Sequence, residues 1–309
     1  VFFSKISRQI VITFVYCNCV CVMNQGKELG AIFHRSRFLN IKGQLHDFAQ
    51  PKIMGILNMT PDSFYKESRV SEESMLIERA RTMIEQGCSI LDIGASSTRP
   101  GAAILSAQEE IDRLGNSISV LKKAFPDILL SLDTYYAAVA QFGINEGCDL
   151  INDISAGQFD SELWTVVAQA KIPYILTYNR AEQTNEAKSF VARKGVIADA
   201  LSFLSEKLEQ LKRKGITDVL IDPGFGFGKT LQENHQLLRQ LEHLHVLGCP
   251  LLIGVSRKSM ITKKLNVSTE DALNGTSILN TVAYVKGAAV FRVHDAAATQ
   301  ELITLLEKE

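Results

Sequence analysis

The chain of 309 residues lacks net charge: 33 Lys and Arg stand against 34 Asp and Glu, leaving −1. That balance argues against a nucleic-acid binder held by phosphate neutralisation, which needs a basic domain. With only 7 prolines and 20 glycines it is neither a collagen-like array nor a carrier of long low-complexity linkers. Six cysteines in a chain this size do not make a disulfide scaffold. The apolar run at residues 10–23, IVITFVYCNCVCVM, is too short to cross a bilayer as a helix. What is present is 46% apolar and 22% charged residues, the balance of a soluble globular protein with a real core.

The amino-terminal run invites three readings. Lys5 and Arg8 precede it, as in a signal peptide, but the following MNQGKELG offers no small-x-small cleavage site. Cys17, Cys19 and Cys21 alternate, but a metal knuckle would want a second ligand pair nearby. The third reading is an over-extended start, because Val1 is not a methionine and Met23 opens a polar lead-in. Residues 1–37 are therefore expected to be an extension without order, of which 1–22 are dispensable for folding and activity. Cys88, Cys148 and Cys249 lie scattered in apolar segments, as buried thiols in a reducing compartment do. A cytoplasmic location without membrane attachment is the matching expectation.

From residue 53 the chain becomes regular. Short apolar runs at 53–57, 90–93, 128–132, 150–151, 174–176, 219–221, 251–255 and 289–293 are too short for core helices and show no polar alternation. They suit strands buried on both faces, as in a parallel sheet. Between or after them, residues 73–86, 107–124, 137–146, 162–170, 196–214, 232–245, 269–286 and 298–308 carry apolar residues at helical spacing. Gly87, Gly147 and Gly215 supply stop signals. Eight such units over residues 53–309 average about 32 residues each, which is the count and size of a closed (β/α)8 TIM barrel. A doubly wound open sheet is the alternative, but it would place a Gly-rich phosphate loop after its first strand, and Asn58-Met-Thr-Pro-Asp stands there. Residues 38–309 read as one barrel domain, opened by a short hairpin over 38–50 with Lys42-Gly43 as its turn, capping the barrel's lower end.

Chemistry in such barrels sits where strands end and βα loops begin. The residues there are Asn58; Asp92, followed by Ser97-Thr98-Arg99; Asp133; Asn152-Asp153; Tyr178-Asn179; Asp222; Ser256-Arg257-Lys258; and Arg292 with His294. Helix N-caps, Asp133 among them, account for two or three. They do not account for Lys258, Arg292 and His294, because cations are disfavoured at helix N-termini. Cations imply an anionic ligand. The carboxylates and Asn accept hydrogen bonds from a heterocycle or help hold a hard metal ion, and Asn58 is suited to magnesium that also binds phosphate oxygens. The segment from Asp222 to Lys229 is not a P-loop, since Pro223 occupies the place of the first glycine. Its glycines allow a sharp turn and place Phe225 or Phe227 over a flat ligand.

Six motifs in order carry a specific resemblance. They are Met54-Gly-Ile-Leu-Asn-Met-Thr-Pro-Asp-Ser-Phe64, Asp92-Ile-Gly-Ala-Ser-Ser-Thr-Arg-Pro-Gly101, Ser131-Leu-Asp-Thr134, Ile151-Asn-Asp153, Asp222 to Lys229, and Gly254-Val-Ser-Arg-Lys-Ser-Met260, with Arg292-Val-His-Asp295 closing the chain. Over about residues 50–309 the sequence resembles the dihydropteroate synthases of folate biosynthesis, the targets of sulfonamides. The resemblance implies condensation of a pterin methyl diphosphate with p-aminobenzoate, giving dihydropteroate and diphosphate by a dissociative substitution. It implies a pterin pocket of Asp133, Asn152, Asp222 and Lys258, with Asp133, Asp222 and Lys258 catalytic. Diphosphate would be held by Asn58, Arg292 and His294, with Mg2+ beside Asn58. The p-aminobenzoate site would comprise Thr98, Arg99, Pro100, Phe227 and Ser259, under a loop over 60–69 that carries Asp62. It also implies a homodimer.

Three departures stand out. Ala95-Ser96 replaces a common Gly-Glu, Thr177-Tyr178 replaces a Met-His pair, and Tyr65-Lys-Glu-Ser-Arg69 replaces Asp-Gly-Gly. Two rivals remain. The pterin-binding domain of corrinoid methyltransferases resembles this barrel but does not need the Ser-Thr-Arg-Pro loop or the Ser-Arg-Lys-Ser run. A pterin-binding pseudoenzyme would not need the full set of Asp133, Asp222, Lys258, Arg292 and His294.

Overall fold

A computed structural model describes residues 38–59, 69–95, 105–180 and 194–307. The expected extension over 1–37, residues 60–68 of the loop expected over 60–69, and the Thr98–Pro100 segment lie outside the described residues; Arg69 belongs to the first helix.

The chain enters through an antiparallel hairpin, β1 (Phe38–Ile41) and β2 (Gln44–Asp47). Lys42 and Gly43 both take positive φ, +50° and +86°, the twist that matches a two-residue hairpin turn. The Asn40 side chain accepts from the Gly43 amide at 2.9 Å. The barrel follows as β3 (Lys52–Asn58), α1 (Arg69–Glu85), β4 (Cys88–Gly94), α2 (Ala107–Leu114), α3 (Ser117–Ala124), β5 (Leu129–Asp133), α4 (Ala137–Asn145), β6 (Leu150–Asp153), α5 (Leu163–Ala170) and β7 (Tyr174–Thr177). It continues with α6 (Val196–Arg213), β8 (Val219–Asp222), α7 (Leu231–Arg239), β9 (Leu252–Ile253), α8 (Ser259–Leu265), α9 (Leu273–Val285), β10 (Val290–Val293) and α10 (Ala296–Leu306). The eight strands from β3 to β10 pair in parallel in the order β8-β7-β6-β5-β4-β3-β10-β9. A bridge between Ile221 and Leu251 joins the two ends and closes the ring.

Three expected helices divide. The single helix expected over 107–124 breaks at Gly115 (φ +48°) and Asn116 into α2 and α3. The one over 232–245 ends at Arg239 and continues as a 3-10 turn, Leu241–Leu247. The one over 269–286 begins with a 3-10 turn, Glu270–Ala272, before α9. Helix α8 was not legible as a separate element.

Side chains alternate across each strand, and the two sets separate into two cores. Met54, Ile90, Leu129, Leu150, Ile175, Leu220, Leu252 and Val290 point inward and pack with Leu39, Ile41 and Phe48 from the hairpin region. These residues plug the lower end of the barrel, as expected. The opposite parity, including Leu57, Leu91, Leu132, Tyr174, Ile221 and Phe291, packs outward under the helices. Lys42 pins the hairpin through Asp149 at 2.7 Å and the Gly147 carbonyl at 2.8 Å.

Candidate active site

Two residues beyond the inward apolar layer, the same parity brings up Ile56, Asp92, Ser131, Asn152, Thr177, Asp222, Gly254 and Arg292. The interior thus changes from apolar to polar within one side-chain repeat, at the end where the strands finish.

Arg292 organises this layer. Its Nε donates to Asp92 Oδ2 at 2.6 Å and its Nη2 donates to Asp133 Oδ2 at 2.7 Å. Asn152 Nδ2 also donates to Asp92 Oδ2, at 3.0 Å. One guanidinium therefore serves two buried carboxylates. Burial pushes the Asp133 carboxyl up to about 7; Arg292 pulls it down, and the neighbouring Asp92 pushes it up again. Burial works against the Arg292 charge as well, yet Asp92 and Asp133 hold its pKa above the ordinary guanidinium value.

Across the mouth, Asp222 Oδ1 accepts from the Gly224 amide at 2.7 Å, and Lys258 Nζ donates to the Phe225 carbonyl at 2.7 Å. Burial raises the Asp222 pKa against the pull of Lys258. Burial lowers the Lys258 ammonium to about 8, and Asp222 opposes that shift. Gly254 lies between these groups. A Cβ built on it would meet Lys258 Nζ at 3.6 Å, the Arg292 Cβ at 3.9 Å and Asp222 Oδ2 at 4.0 Å. Without that Cβ, a slot stays open beside an ammonium and a carboxylate. Among the described residues, the buried Asp92 Oδ1, Ser131 Oγ and Thr177 Oγ1 find no hydrogen-bond partner. An unmet buried polar atom costs about 1–3 kcal/mol, so this interior is built to receive polar groups from elsewhere.

Most sequence candidates converge. Asp133, Asn152, Asp222 and Lys258 join one electrostatic cluster with Arg292. Asn58 and Arg292 lie on adjacent paired strands, β3 and β10, and His294 follows β10 immediately. His294 is exposed, with Nδ1 3.1 Å from Ser256 Oγ, and its amide donates to that oxygen at 3.2 Å. Phe227 is half-buried with its ring centroid 5.1 Å from Lys258 Nζ, and exposed Ser259 follows Lys258 at the start of α8. Thr98, Arg99, Pro100 and Asp62 lie outside the described residues.

Four strand-end assignments change. Asp133 caps no helix, since α4 begins at Ala137 behind Tyr136, so its carboxylate is left for Arg292. Asp153 has the outward parity and accepts from the Tyr174 hydroxyl at 2.6 Å, beneath Trp164. Arg257 turns to Asp295 through a fork at 2.8 and 2.6 Å and braces the loop. Phe225 is fully buried, so only its carbonyl faces the site. In the sequence, Asp92 stands at a strand end and Gly254 opens the motif that ends at Met260, neither with a role of its own. No local signal marks Asp92, because β4 is buried on both faces and its phase appears only in the folded barrel.

The family model for pterin binding enzymes matches residues 54–294. Dihydropteroate synthase from Streptococcus pyogenes is 35% identical over 260 residues, covering 83% of this chain and 94% of that protein. The enzyme from Clostridium beijerinckii is 39% identical over 246 residues, covering 79% and 88%. The chain belongs to the dihydropteroate synthase family. Among solved structures, Yersinia pestis dihydropteroate synthase with a sulfonamide drug aligns at TM-score 0.78 and 36% identity, covering 87% of this chain and 97% of that one. The Xanthomonas albilineans synthase with 4-aminobenzoic acid aligns at TM-score 0.77 and 33% identity, with the same coverage. The expected TIM barrel is the fold of this chain, and its relatives are transferases of folate biosynthesis.

Proposed function

We infer that the chain condenses 6-hydroxymethyl-7,8-dihydropterin diphosphate with p-aminobenzoate, releasing 7,8-dihydropteroate and diphosphate. The observation that carries the reading is the polar layer of Asp92, Asp133, Asn152, Asp222, Lys258 and Arg292 around a slot floored by Gly254. A pterin ring offers N–H donors to the carboxylates and acceptors to Lys258. The bond from the methylene carbon to the diphosphate oxygen breaks, the arylamine nitrogen bonds to that carbon, and the amine loses one proton. Departure ahead of attack leaves a delocalised pterin cation, which the fixed carboxylates of Asp133 and Asp222 stabilise. Arg292 and His294 receive the charge that develops on diphosphate.

Asn58 fits a subsidiary role with Mg2+. Among the described residues no three His, Cys, Asp or Glu side chains cluster as a metal cage. Asn58 would offer one carboxamide oxygen to the ion, with substrate phosphate and water making up the rest, the usual habit of magnesium. When bound, the ion adds positive charge beside the leaving group. On the arylamine side, Phe227 and Ser259 flank Lys258, and Thr98, Arg99 and Pro100 are proposed to complete the pocket.

The test incubates purified protein with the pterin diphosphate, p-aminobenzoate and magnesium, and measures dihydropteroate and diphosphate. Tight pterin binding without turnover would overturn the reading in favour of a binding protein. We further propose a homodimer in the cytoplasm. Ile278 and Val285 on α9 and Leu305 on the neighbouring α10 are 53%, 76% and 83% exposed, an apolar surface suited to a second copy. Sedimentation of the wild type and of Ile278→Glu tests this. No helix among the described residues is long and apolar enough to cross a membrane.

A further inference from the structure

The loop after β8 carries glycines at alternate positions, Gly224, Gly226 and Gly228, with φ of +65°, +92° and +63°. Glycine permits this path but does nothing to hold it. Lys229 holds it. Its Nζ donates to the carbonyls of Tyr178 at 2.7 Å, Gly224 at 2.8 Å and Phe227 at 3.1 Å. An ammonium has three N–H donors and no acceptor, so this arrangement saturates it. The same nitrogen lies 4.1 Å from the Tyr178 ring centroid, within cation–π range.

The clamp is itself anchored. Tyr178 is fully buried and its hydroxyl donates to the Asp199 carboxylate in α6. Arg180 donates to Glu233 at 2.8 Å, and Glu233 completes the capping box of α7 with Thr230. The Arg180 amide meets the Phe227 carbonyl at 3.4 Å. The end of β7, α6 and α7 thus converge on one glycine loop. That loop presents two things to the site: the Phe225 carbonyl to Lys258, and the Phe227 ring. Phe225 has a second anchor, because its ring is buried in the outer core. The half-buried Phe227 ring has no anchor of that kind; its backbone is tied by the Gly224 carbonyl and the Arg180 amide, the Gly226 amide donates to Asn234 Oδ1 at 2.7 Å, and Lys229 draws the carbonyls on either side of the turn to one point.

We propose that Lys229 is a positioning residue for the arylamine substrate. It touches neither substrate and acts by holding Phe227 as a wall of the p-aminobenzoate site. The inference rests on the assignment of Phe227 to that site. It also gives Tyr178 a purpose, since that residue supplies the carbonyl, the ring face and the tie to Asp199.

The test compares Lys229→Met, Lys229→Arg, Phe227→Ala and Lys229→Met/Phe227→Ala. Arginine keeps the charge, but its planar fork cannot converge on three carbonyls from one point. The expected result for both Lys229 variants is a KM for p-aminobenzoate raised about tenfold or more, with kcat at saturating p-aminobenzoate and the pterin diphosphate Kd within about threefold. The double variant should be no worse than Phe227→Ala, because both changes act through one ring. An unchanged KM in a folded Lys229 variant overturns the proposal. So do multiplying losses in the double variant, and so does a parallel fall in kcat, pterin affinity and p-aminobenzoate KM. Failure of both Lys229 variants to fold counts against it too, since Lys229 would then serve the whole barrel. If Phe227→Ala leaves the KM unchanged, the assignment of Phe227 is wrong and the proposal falls with it. If Phe227→Ala raises the KM and the Lys229 variants do not, only the clamp is wrong.

Discussion

Gly254→Ala separates the pocket from the fold. The added Cβ would sit 3.6 Å from Lys258 Nζ, 3.9 Å from the Arg292 Cβ and 4.0 Å from Asp222 Oδ2, all ordinary van der Waals contacts. Gly254 is not among the glycines with positive φ, so alanine fits its backbone without strain. Stability is expected to change by less than about 1 kcal/mol, with a small gain from the stiffer unfolded chain. The methyl does, however, occupy the slot proposed for the flat pterin ring. A ring displaced by about one methyl radius can no longer keep hydrogen bonds of ordinary length to both Asp222 and Lys258. Two hydrogen bonds to charged groups, at about 1.5–3 kcal/mol each, amount to a loss of about 3–6 kcal/mol, or roughly 10²–10⁴ in Kd. Calorimetric titration with pterin diphosphate measures the affinity, and thermal melting checks the fold. Wild-type affinity in a folded Gly254→Ala protein would refute the placement of the pterin between Lys258 and Asp222. Gly224→Ala is the contrasting control: its φ is +65° and its Cβ would fall 2.1 Å from the Tyr178 carbonyl oxygen, so that variant should lose stability outright.

Asp222→Ala should abolish pterin binding, because it removes a buried acceptor and leaves Lys258 without its carboxylate; unchanged affinity by calorimetry would refute the assignment. The pH profile of kcat/KM should be bell-shaped. Asp133 must be ionised to stabilise a cation, so activity rises through about 7, and Lys258 must be protonated, so activity falls above about 8; an acid limb that survives in Asp133→Asn would refute the first half. The linked stability has the opposite sense at the acid end. A carboxyl whose folded pKa is raised contributes stability at low pH, and that contribution is lost as pH rises through about 7. Binding should be ordered, pterin diphosphate before p-aminobenzoate, because Asp133, Asn152 and Asp222 lie at strand ends while Phe227 stands on the loop after β8. Equal p-aminobenzoate affinity with and without pterin, diphosphate and magnesium would show that site to be preformed.

Much of the site was legible because a parallel barrel writes its plan locally. Each strand is a short apolar run, each run ends in a polar residue, and eight repeats of fitting length imply closure. Asp133, Asn152, Asp222, Lys258 and Arg292 could be named from that rule together with the motifs. The phase of each strand was not legible, because a run buried on both faces has no polar alternation to mark inside from outside. Only the folded barrel shows that Asn152 points in and Asp153 points out, and that Asp92, two beyond inward Ile90, meets Arg292. The partners Asp92 and Arg292 stand 200 positions apart, and Asp133 and Arg292 stand 159 apart. No local spacing can report such a pair; closure of the ring makes it. The same holds for Lys229, a lysine in a glycine-rich run until the end of β7, α6 and α7 close around it. Residue type and period determined the units, their number and the chemistry available at their ends. Tertiary structure alone decided which charges share a partner, because that depends on strand phase and ring closure.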